Sequence, residues 1–262
     1  MEKVSLFDQS FEKIEISGSK ELEITVNKNA SCSLYLLLKD KSDVKCHIYV
    51  QENAHLKLLS WNESDELSFE NEIYCAKDSK MELNLGELSD GNTNESHKIH
   101  LQEEGSTFAL RSASTVSSTK HFDIECIHEA SHTESNMENY AVVYKDGDYK
   151  MNDTGKIEKG AYGSSSHQTS RALILDKDQK CDITPILLID ENDVQASHAT
   201  TMGQIDENQL YYLQTRGLTK TQALGLITIG YILPIASALD DETLQEELSA
   251  KVEKKVGLAW SM

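Results

Sequence analysis

The sequence predicts an all-β domain over residues 1–205, followed by a helical tail over residues 206–262. Apolar and polar residues alternate in many short runs, and the gaps between these runs are rich in Asn, Asp, Ser, Lys and Gly. A period of two places alternate side chains on one face of a strand, and those gap residues are typical of turns. Near Asp206 the apolar period changes to that of a helix, and this change predicts the tail.

The strand runs follow one another along the first 200 residues with almost no helical pattern between them. A sandwich, a barrel and a β-helix all fit this spacing of strands, although the many short runs favour a solenoid. The clearest alternating sets are Leu22, Ile24 and Val26; Cys32, Leu34, Leu36 and Leu38; Val44, Cys46, Ile48 and Val50; Met81, Leu83 and Leu85; and Phe122, Ile124 and Cys126.

Capping signals divide the tail into three helices. Asp206 and Gly217 bracket the first helix, and Thr219 opens a capping box for the second, which is expected from residue 220 to about residue 237. Asp240 is expected to cap the third helix. In this third helix acidic residues come early and lysines come late, which is the order that the helix dipole favours.

The composition limits the classes of partner and compartment. The formal net charge is −19, from 44 acidic and 25 basic residues, so the surface repels nucleic acid and anionic lipid. Segment 1–10 carries charges and no apolar core, so it is not a secretory signal, and the apolar stretch 223–239 is too short for a membrane helix. We therefore expect a cytoplasmic protein with neither nucleic acid nor a membrane as partner.

The sequence does not predict an enzyme. It contains the string His128-Glu129-Ala130-Ser131-His132, which has the H-E-x-x-H form of zinc metalloproteases. That string follows an alternating strand and contains poor helix formers, so we expect a solvated loop in which the histidines share no face. There is also no P-loop, no dinucleotide-binding glycine motif and no convincing catalytic triad, so the chain itself should not hydrolyse ATP.

The cysteines predict core packing rather than a cross-linked framework. Their number is odd and no CxxC pair occurs, which argues against disulfides and against a structural zinc site. A free cysteine behaves as a small buried hydrophobe. We expect this role for the four that fall in the apolar phase of a strand run, namely Cys32, Cys46, Cys75 and Cys126.

Residues 185–230 carry the most informative motifs. A proline-containing strand leads into Asp193-Val194-x-x-Ser197-His198, and a Gly203-x-Ile205-Asp206 turn follows. Next come Gln209-Leu210-x-Tyr212-Leu213, an Arg216-Gly217-Leu218 stop and an alanine-containing apolar helix. In these motifs the segment resembles the C-terminal signature of the SufB/SufD family of iron–sulfur cluster assembly proteins, with weaker similarity upstream over residues 155–175.

The resemblance implies a right-handed parallel β-helix followed by a helical domain that docks a SufC-like ABC ATPase. It also implies pairing through the β-helix with a SufB-like subunit or with a second copy of the chain. The tail residues to which it gives a partner-binding role are Tyr211, Tyr212, Leu213, Arg216, Gly217, Leu218, Leu226 and Ile229.

The same resemblance places His198 at the pairing junction, as a candidate ligand for iron or for a nascent cluster. Cys181, on the segment nearest to this histidine, is the candidate second contact. Core packing is the main expectation for Cys181 as for the other cysteines, and its position makes it the best candidate for an exception. The implied cargo is a transient iron–sulfur cluster, with no stably bound cofactor.

Two departures from the family pattern leave alternatives open. SufB scaffolds carry a cysteine where this chain has Ser170 or Arg171, which makes the chain SufD-like in chemistry. The chain is also shorter than many members, so a homodimeric cluster scaffold in a minimal two-component system is the second hypothesis. The third is a β-helical enzyme acting on acidic polysaccharide, which the acidic charge of the chain disfavours.

Overall fold

The computed structural model describes residues 1–175 and 179–257, so residues 258–262 of the predicted docking domain lie outside the described range. Within this range thirteen strands form a parallel β-solenoid of about seven turns, and three α-helices follow the last strand. This architecture confirms the predicted β-helix with a C-terminal helical tail. The last strand ends at Gln204 and the first helix begins at Glu207, on either side of the predicted boundary.

The strands lengthen and then divide along the chain. They are β1 (Glu2–Leu6), β2 (Phe11–Val26), β3 (Ser31–Val50), β4 (His55–Cys75), β5 (Lys80–Glu87), β6 (Asn92–Leu101), β7 (Thr107–Val116), β8 (Thr119–His128), β9 (Glu134–Val143), β10 (Asp148–Ile157), β11 (Ser165–Ile174), β12 (Lys180–Ile189) and β13 (Gln195–Gln204). The helices are α1 (Glu207–Thr215), α2 (Lys220–Ile232) and α3 (Glu242–Lys255), with a 3-10 segment (Leu233–Ser237) directly after α2.

Each coil of the solenoid contributes to two walls. The first half of β4 pairs with β5 and its second half with β6, so one long strand spans both walls. Beyond β4 the walls are built from separate strands. Wall 1 continues through β5, β7, β9, β11 and β13, and wall 2 through β6, β8, β10 and β12, with every pairing parallel.

The predicted alternating residues fill the interior between the walls. Leu34, Leu36, Ile48 and Leu83 are fully buried there, and the other alternating sets named above belong to the same core. Cys32, Cys46, Cys75 and Cys126 are buried in it too, which confirms their predicted packing role.

The turns from wall 2 to wall 1 repeat one backbone conformation. Asn29, Asn53, Asp78 and Gly105 all have positive φ, between 54° and 77°. The amide of Asn29 donates to the carbonyl of Glu52 at 3.1 Å, so successive turns are hydrogen-bonded to one another. Gly, Asn and Asp reach this left-handed region at the lowest cost, which explains the turn composition of the gaps between runs.

The tail folds back over the outside of wall 1. There it covers a set of buried side chains that we call the outer strip, made of Tyr35, Leu37, Leu59, Trp61, Leu88, Ala113, Val142 and Leu173. The tail residues packed on the outer strip are Ile232, Ile235, Ala236, Leu239, Leu244, Leu248 and Val252. Three ion pairs border this contact, formed by Lys57 with Asp240, Glu63 with Lys251, and Asp90 with Lys255.

The helix boundaries follow the capping signals with two differences. Asp206 caps α1 and Thr219 forms the predicted capping box of α2. α2 ends before Pro234, and the chain continues as the 3-10 segment, because a proline inside an α-helix removes a hydrogen bond and clashes with the preceding turn. The cap of α3 is Asp241 rather than Asp240, whose carboxylate is held by Lys57 instead.

Candidate functional site

The last turn of the solenoid forms an open end. β12 pairs only with β10, and β13 pairs only with β11, so the far edge of each strand has no strand partner among the described residues. Each strand is ten residues long, and nine of the ten residues of β13 are exposed. Unpaired edges of this length present rows of N–H and C=O groups that can accept a further strand.

The open end also leaves positions of the core uncovered. Ala196, His198, Thr200 and Met202 of β13 are in register with Ser166, Gln168, Ser170 and Ala172 of β11. All four β11 residues are buried in the interior, whereas all four β13 residues are exposed. The interior stacking of the solenoid therefore runs up to β13 and stops there without a cover.

The predicted ligand His198 lies in this last layer. It is in register with Gln168, whose amide Nε2 donates to the carbonyls of Asp153 at 3.0 Å and Ile186 at 3.1 Å. These bonds tie β11 to both β10 and β12, so the layer beneath His198 is firmly held. The imidazole is exposed on a rigid support at the mouth of the solenoid.

Cys181, the best candidate for an exception among the cysteines, packs against the edge of the core but is less buried than the other four. It is half-buried on β12, and its Sγ lies 3.8 Å from the Sδ of Met202 on β13. Burial raises the pKa of the Cys181 thiol to about 11, so the group is a neutral thiol at physiological pH. Its sulfur would bind a metal only with loss of that proton.

The structure does not bring Cys181 and His198 together in one chain. Cys181 contacts Met202, and Met202 is four residues along β13 from His198, so the Cα atoms of Met202 and His198 lie about 13 Å apart at about 3.3 Å per residue. Across residues 1–175 and 179–257, no three His, Cys, Asp or Glu side chains are grouped to hold a metal ion.

The predicted partner residues on α1 form an exposed surface. α1 buries none of its side chains, and Tyr211 and Tyr212 are 69% and 55% exposed. The guanidinium of Arg216 lies 5.0 Å from the centre of the Tyr212 ring, a cation–π contact that orders both side chains. Gly217 follows with φ +94° and ends the helix, so α1 stands apart from the outer strip.

The remaining partner candidates divide between exposed and covered positions. Leu226 on α2 is 46% exposed, whereas Ile229, on the same helix, packs against the outer strip. Leu213 and Leu218 are half-buried at the junction of α1 and α2. Of the apolar candidates, Tyr211, Tyr212 and Leu226 present the largest area for an incoming partner.

The H-E-x-x-H string is not a metal site, and the solvated-loop prediction is wrong for His128. His128 ends β8 and is fully buried, with its two ring nitrogens 2.8 Å from Thr133 Oγ1 and 2.9 Å from Ser135 Oγ. His132 lies in the following turn with φ 55°, edge-on to Tyr162. The two histidines belong to different environments because no helix joins them.

One group of side chains escaped the sequence reasoning. Glu87, Glu95, His97 and Lys120 are all buried within the solenoid, where the expected residues were apolar. The available signal was that each continues the alternating phase of apolar residues on its own strand, Glu87 on β5, Glu95 and His97 on β6, and Lys120 on β8. That signal is weak because alternation alone does not identify which face of a polar strand turns inward.

Comparison with known proteins agrees with the fold and with the motifs at its open end. Residues 12–231 match the family described as SUF system FeS cluster assembly, SufBD core domain. This chain belongs to the SufBD core family. The match covers nearly all of the solenoid and the first two helices of the tail.

Several curated relatives of this SufBD core protein carry assembly names. It is 35% identical over 183 residues to the iron–sulfur cluster assembly protein SufD of Bacillus subtilis, covering 69% of this chain and 42% of the relative. It is 24% identical to SufD of Escherichia coli, over 80% of this chain and 51% of the relative. A SufBD family protein of Mycobacterium tuberculosis is 34% identical over half of this chain and 16% of the relative. The chain therefore spans about half the length of the SufD relatives.

In the part of the chain that the structure describes, no single helix is long and apolar enough to cross a bilayer. α1 and the run from α2 through the 3-10 segment reach that length and apolar composition only in combination, and the two are bent by 120° to one another.

Proposed function

We propose that this protein is a non-catalytic subunit of a SUF-type iron–sulfur cluster assembly complex, which pairs through its open end and docks a SufC-like ABC ATPase through its tail. The observation that carries the proposal is the open end itself, where two ten-residue strand edges and four core positions lie uncovered. A second solenoid could continue the ladder there with main-chain hydrogen bonds. Its source is a SufB-like subunit or a second copy of this chain.

Pairing at the open end would give His198 its proposed role. An imidazole on a rigid layer is a competent ligand for iron, and the partner would supply the remaining ligands across the junction. The cluster is cargo in this proposal, held while the two subunits are apposed. The five free cysteines support a reducing compartment, in agreement with the cytoplasmic location expected from the sequence.

The ATPase would dock on α1 and the adjacent exposed part of α2. Tyr211, Tyr212 and Arg216 are of the residue types that supply most binding energy at protein interfaces. α2 and α3 are occupied with the outer strip, so a motor that pulls α1 would act on the solenoid through them. The proposed role is thus to transmit nucleotide-driven motion to the paired open ends.

The docking proposal predicts a loss of ATPase binding when α1 loses its tyrosines. Tyr211→Ala combined with Tyr212→Ala should weaken binding by about 2 kcal/mol or more, roughly thirtyfold, because both rings are free to be buried in the complex. Titration calorimetry with the purified ATPase measures this change. Tyr162→Ala, at a tyrosine 51% exposed on the solenoid, is the matched control and should bind normally. Unchanged affinity in the double variant would contradict docking on α1.

The homodimeric scaffold remains a second candidate because Cys181, unlike the other four cysteines, is accessible at the open end. In this reading, anaerobic reconstitution with iron and sulfide should give the isolated protein a visible cluster absorption band. Cys181→Ser should remove that band, and Cys126→Ser, at a buried cysteine, should retain it. Formation should be favoured at higher pH because the thiol, whose pKa burial raises to about 11, must lose its proton. A band that survives Cys181→Ser would exclude this cysteine as a ligand.

Membership of the SufBD core family gives no support to the polysaccharide-active alternative.

A further inference from the structure

The solenoid holds four buried ionisable side chains that neither the open end nor α1 uses. Glu87 ends β5, Glu95 and His97 lie on β6, and Lys120 lies on β8. We call these four residues the corner cluster because they lie where the coil bends from wall 1 to wall 2. Each is at most 1% exposed. Buried charge is costly unless it is paired and hydrogen-bonded, so the arrangement of its protons matters.

Lys120 is the cation of the corner cluster. Its Nζ donates to Thr93 Oγ1 at 2.9 Å and to Ser89 Oγ at 2.7 Å, and it lies 3.4 Å from Glu87 Oε2. The same carboxylate oxygen accepts a hydrogen bond from Asn62 Nδ2 at 2.7 Å. One oxygen of Glu87 is therefore well supplied with donors.

Two other carboxyl oxygens of the corner cluster lack donors. Glu87 Oε1 and Glu95 Oε1 find no hydrogen-bond donor among the described residues, although the two carboxyl groups are within hydrogen-bonding reach of each other. Asn71 Nδ2 lies 3.4 Å from His97 Nδ1, so the proton of His97 belongs on Nε2, which lies 2.7 Å from Glu95 Oε2. A single proton between the two carboxyl groups would satisfy both orphaned oxygens.

The charges of the corner cluster balance only when that proton is present. Burial raises the pKa of Glu87 to about 8 and that of Glu95 to about 7, and it lowers the pKa of His97 to about 4. At neutral pH one ammonium then faces one carboxylate and one carboxyl group. Because folding raises both carboxyl pKa values, the stability they contribute is present in acid and is lost as pH rises through 7 to 8.

The outer side of the same bend is where α3 is attached. Asn62 is followed by Glu63 at the bend within β4, and Ser89 is followed by Asp90 in the loop between β5 and β6, so each segment contributes one residue to the interior and the next to the surface. On the surface, Glu63 accepts from Lys251 and Asp90 accepts from Lys255. The two segments that carry the anchors of α3 are thus the segments whose inner residues contact Lys120 and Glu87.

We propose that the corner cluster is a proton-dependent latch for α3, in which a proton held between Glu87 and Glu95 keeps the bend dry and its outer anchors in place. When both carboxyl groups ionise, the buried net charge draws water into the bend. The two segments then loosen, and α3 loses the positions of its two ion-pair partners. The latch belongs to this chain alone and does not depend on the ATPase or on pairing.

The groups that face the corner cluster come from every element around it. β5 supplies Glu87, β6 supplies Glu95 and His97, β8 supplies Lys120, and β4 supplies only the neutral amides of Asn62 and Asn71. From outside, the Lys120 charge also reaches Asp90, whose pKa is lowered chiefly by Lys255. No second cation balances two ionised carboxylates among these neighbours.

Hydrogen exchange followed by mass spectrometry tests the latch in the full chain. Exchange of the α3 amides, corrected for the intrinsic effect of pH, should rise about tenfold between pH 7 and pH 8 and level off above pH 8, because about one proton is linked to the opening until both carboxyl groups are ionised. Peptides from β9 and β11 should stay protected over the same range. Wild-type α3 that is equally protected from pH 6.5 to pH 9 would overturn the proposal.

A variant with one titrating carboxyl group fewer separates the latch from a general effect of pH. Glu95→Gln keeps a hydrogen-bond donor for Glu87 and leaves one carboxylate for Lys120, so α3 exchange should no longer depend on pH. Glu138→Gln, which alters a carboxylate paired with Arg111 on the surface, should behave like the wild type. If Glu95→Gln retains the wild-type rise in exchange, the latch is refuted. If Glu95→Gln does not fold, Glu87→Gln makes the same comparison and the wild-type exchange profile still decides.

Discussion

Replacing Trp61 by alanine is expected to lower the free energy of unfolding by about 3–5 kcal/mol and to release the tail from wall 1. Trp61 is 1% exposed, and its ring lies against Gly86 of the neighbouring strand, where a Cβ would come within 2.5 Å of it. Its Nε1 donates to Glu63 Oε1 at 3.2 Å, the oxygen that also accepts from Lys251 of α3. The substitution therefore removes packing of the outer strip and one support of an ion pair together.

Urea unfolding followed by circular dichroism measures this loss, and limited proteolysis reports whether the tail is cut first. Tyr49→Ala is the matched control, since that tyrosine is 40% exposed on the outer face of wall 2, away from the tail. It should shift the unfolding midpoint far less. An unfolding midpoint for Trp61→Ala equal to that of the wild type would mean that the outer strip does not hold the tail.

A lysine at the open end is expected to weaken pairing at least tenfold while leaving the fold intact. Thr200 is exposed in the middle of β13, in register with the buried Ser170. Thr200→Lys would place a charge where a partner must cover the core, which is a natural way of blocking strand addition. We expect affinity for the pairing partner to fall by about tenfold or more, with thermal stability nearly unchanged.

Analytical ultracentrifugation of the chain, alone and with a SufB-like subunit, measures the effect on pairing. Ser96→Lys provides the control because Ser96 is exposed on the outer face of wall 2, away from both ends of the solenoid. Association that survives Thr200→Lys and Ser96→Lys equally would place the pairing surface elsewhere than on the open end.

The alternation of apolar and polar residues predicts most of the fold, whereas the repeat length of the solenoid does not show in the sequence. The left-handed turn residue is Asn29, Asn53, Asp78, Gly105 and His132 in successive coils, so no single residue type marks it. The coil also lengthens, with contacts between neighbouring coils 24 residues apart near Asn29 and 31 apart near the end. A repeat that changes in both length and identity gives no clean self-similarity.

The sequence partly predicts where the tail attaches to the solenoid. Tyr35 and Leu37 interrupt the alternating set of Leu34, Leu36 and Leu38, so β3 reads as a continuous apolar run, which is typical of a strand buried on both faces. The sequence does not predict which element covers the second face of β3, because an amphipathic helix fits many surfaces equally well. Ile229, which the family resemblance predicts to be a partner contact, is half-buried against the outer strip.

The position of the tail has a consequence for the order of events during synthesis. The outer strip begins with Tyr35 in the third strand, but the helices that cover it come from the last 30 or so described residues of the chain. At about 5–20 residues per second, a ribosome needs roughly 10–40 s to make the intervening stretch. During that time early coils can wind while an apolar band remains open to chaperones or to neighbouring nascent chains.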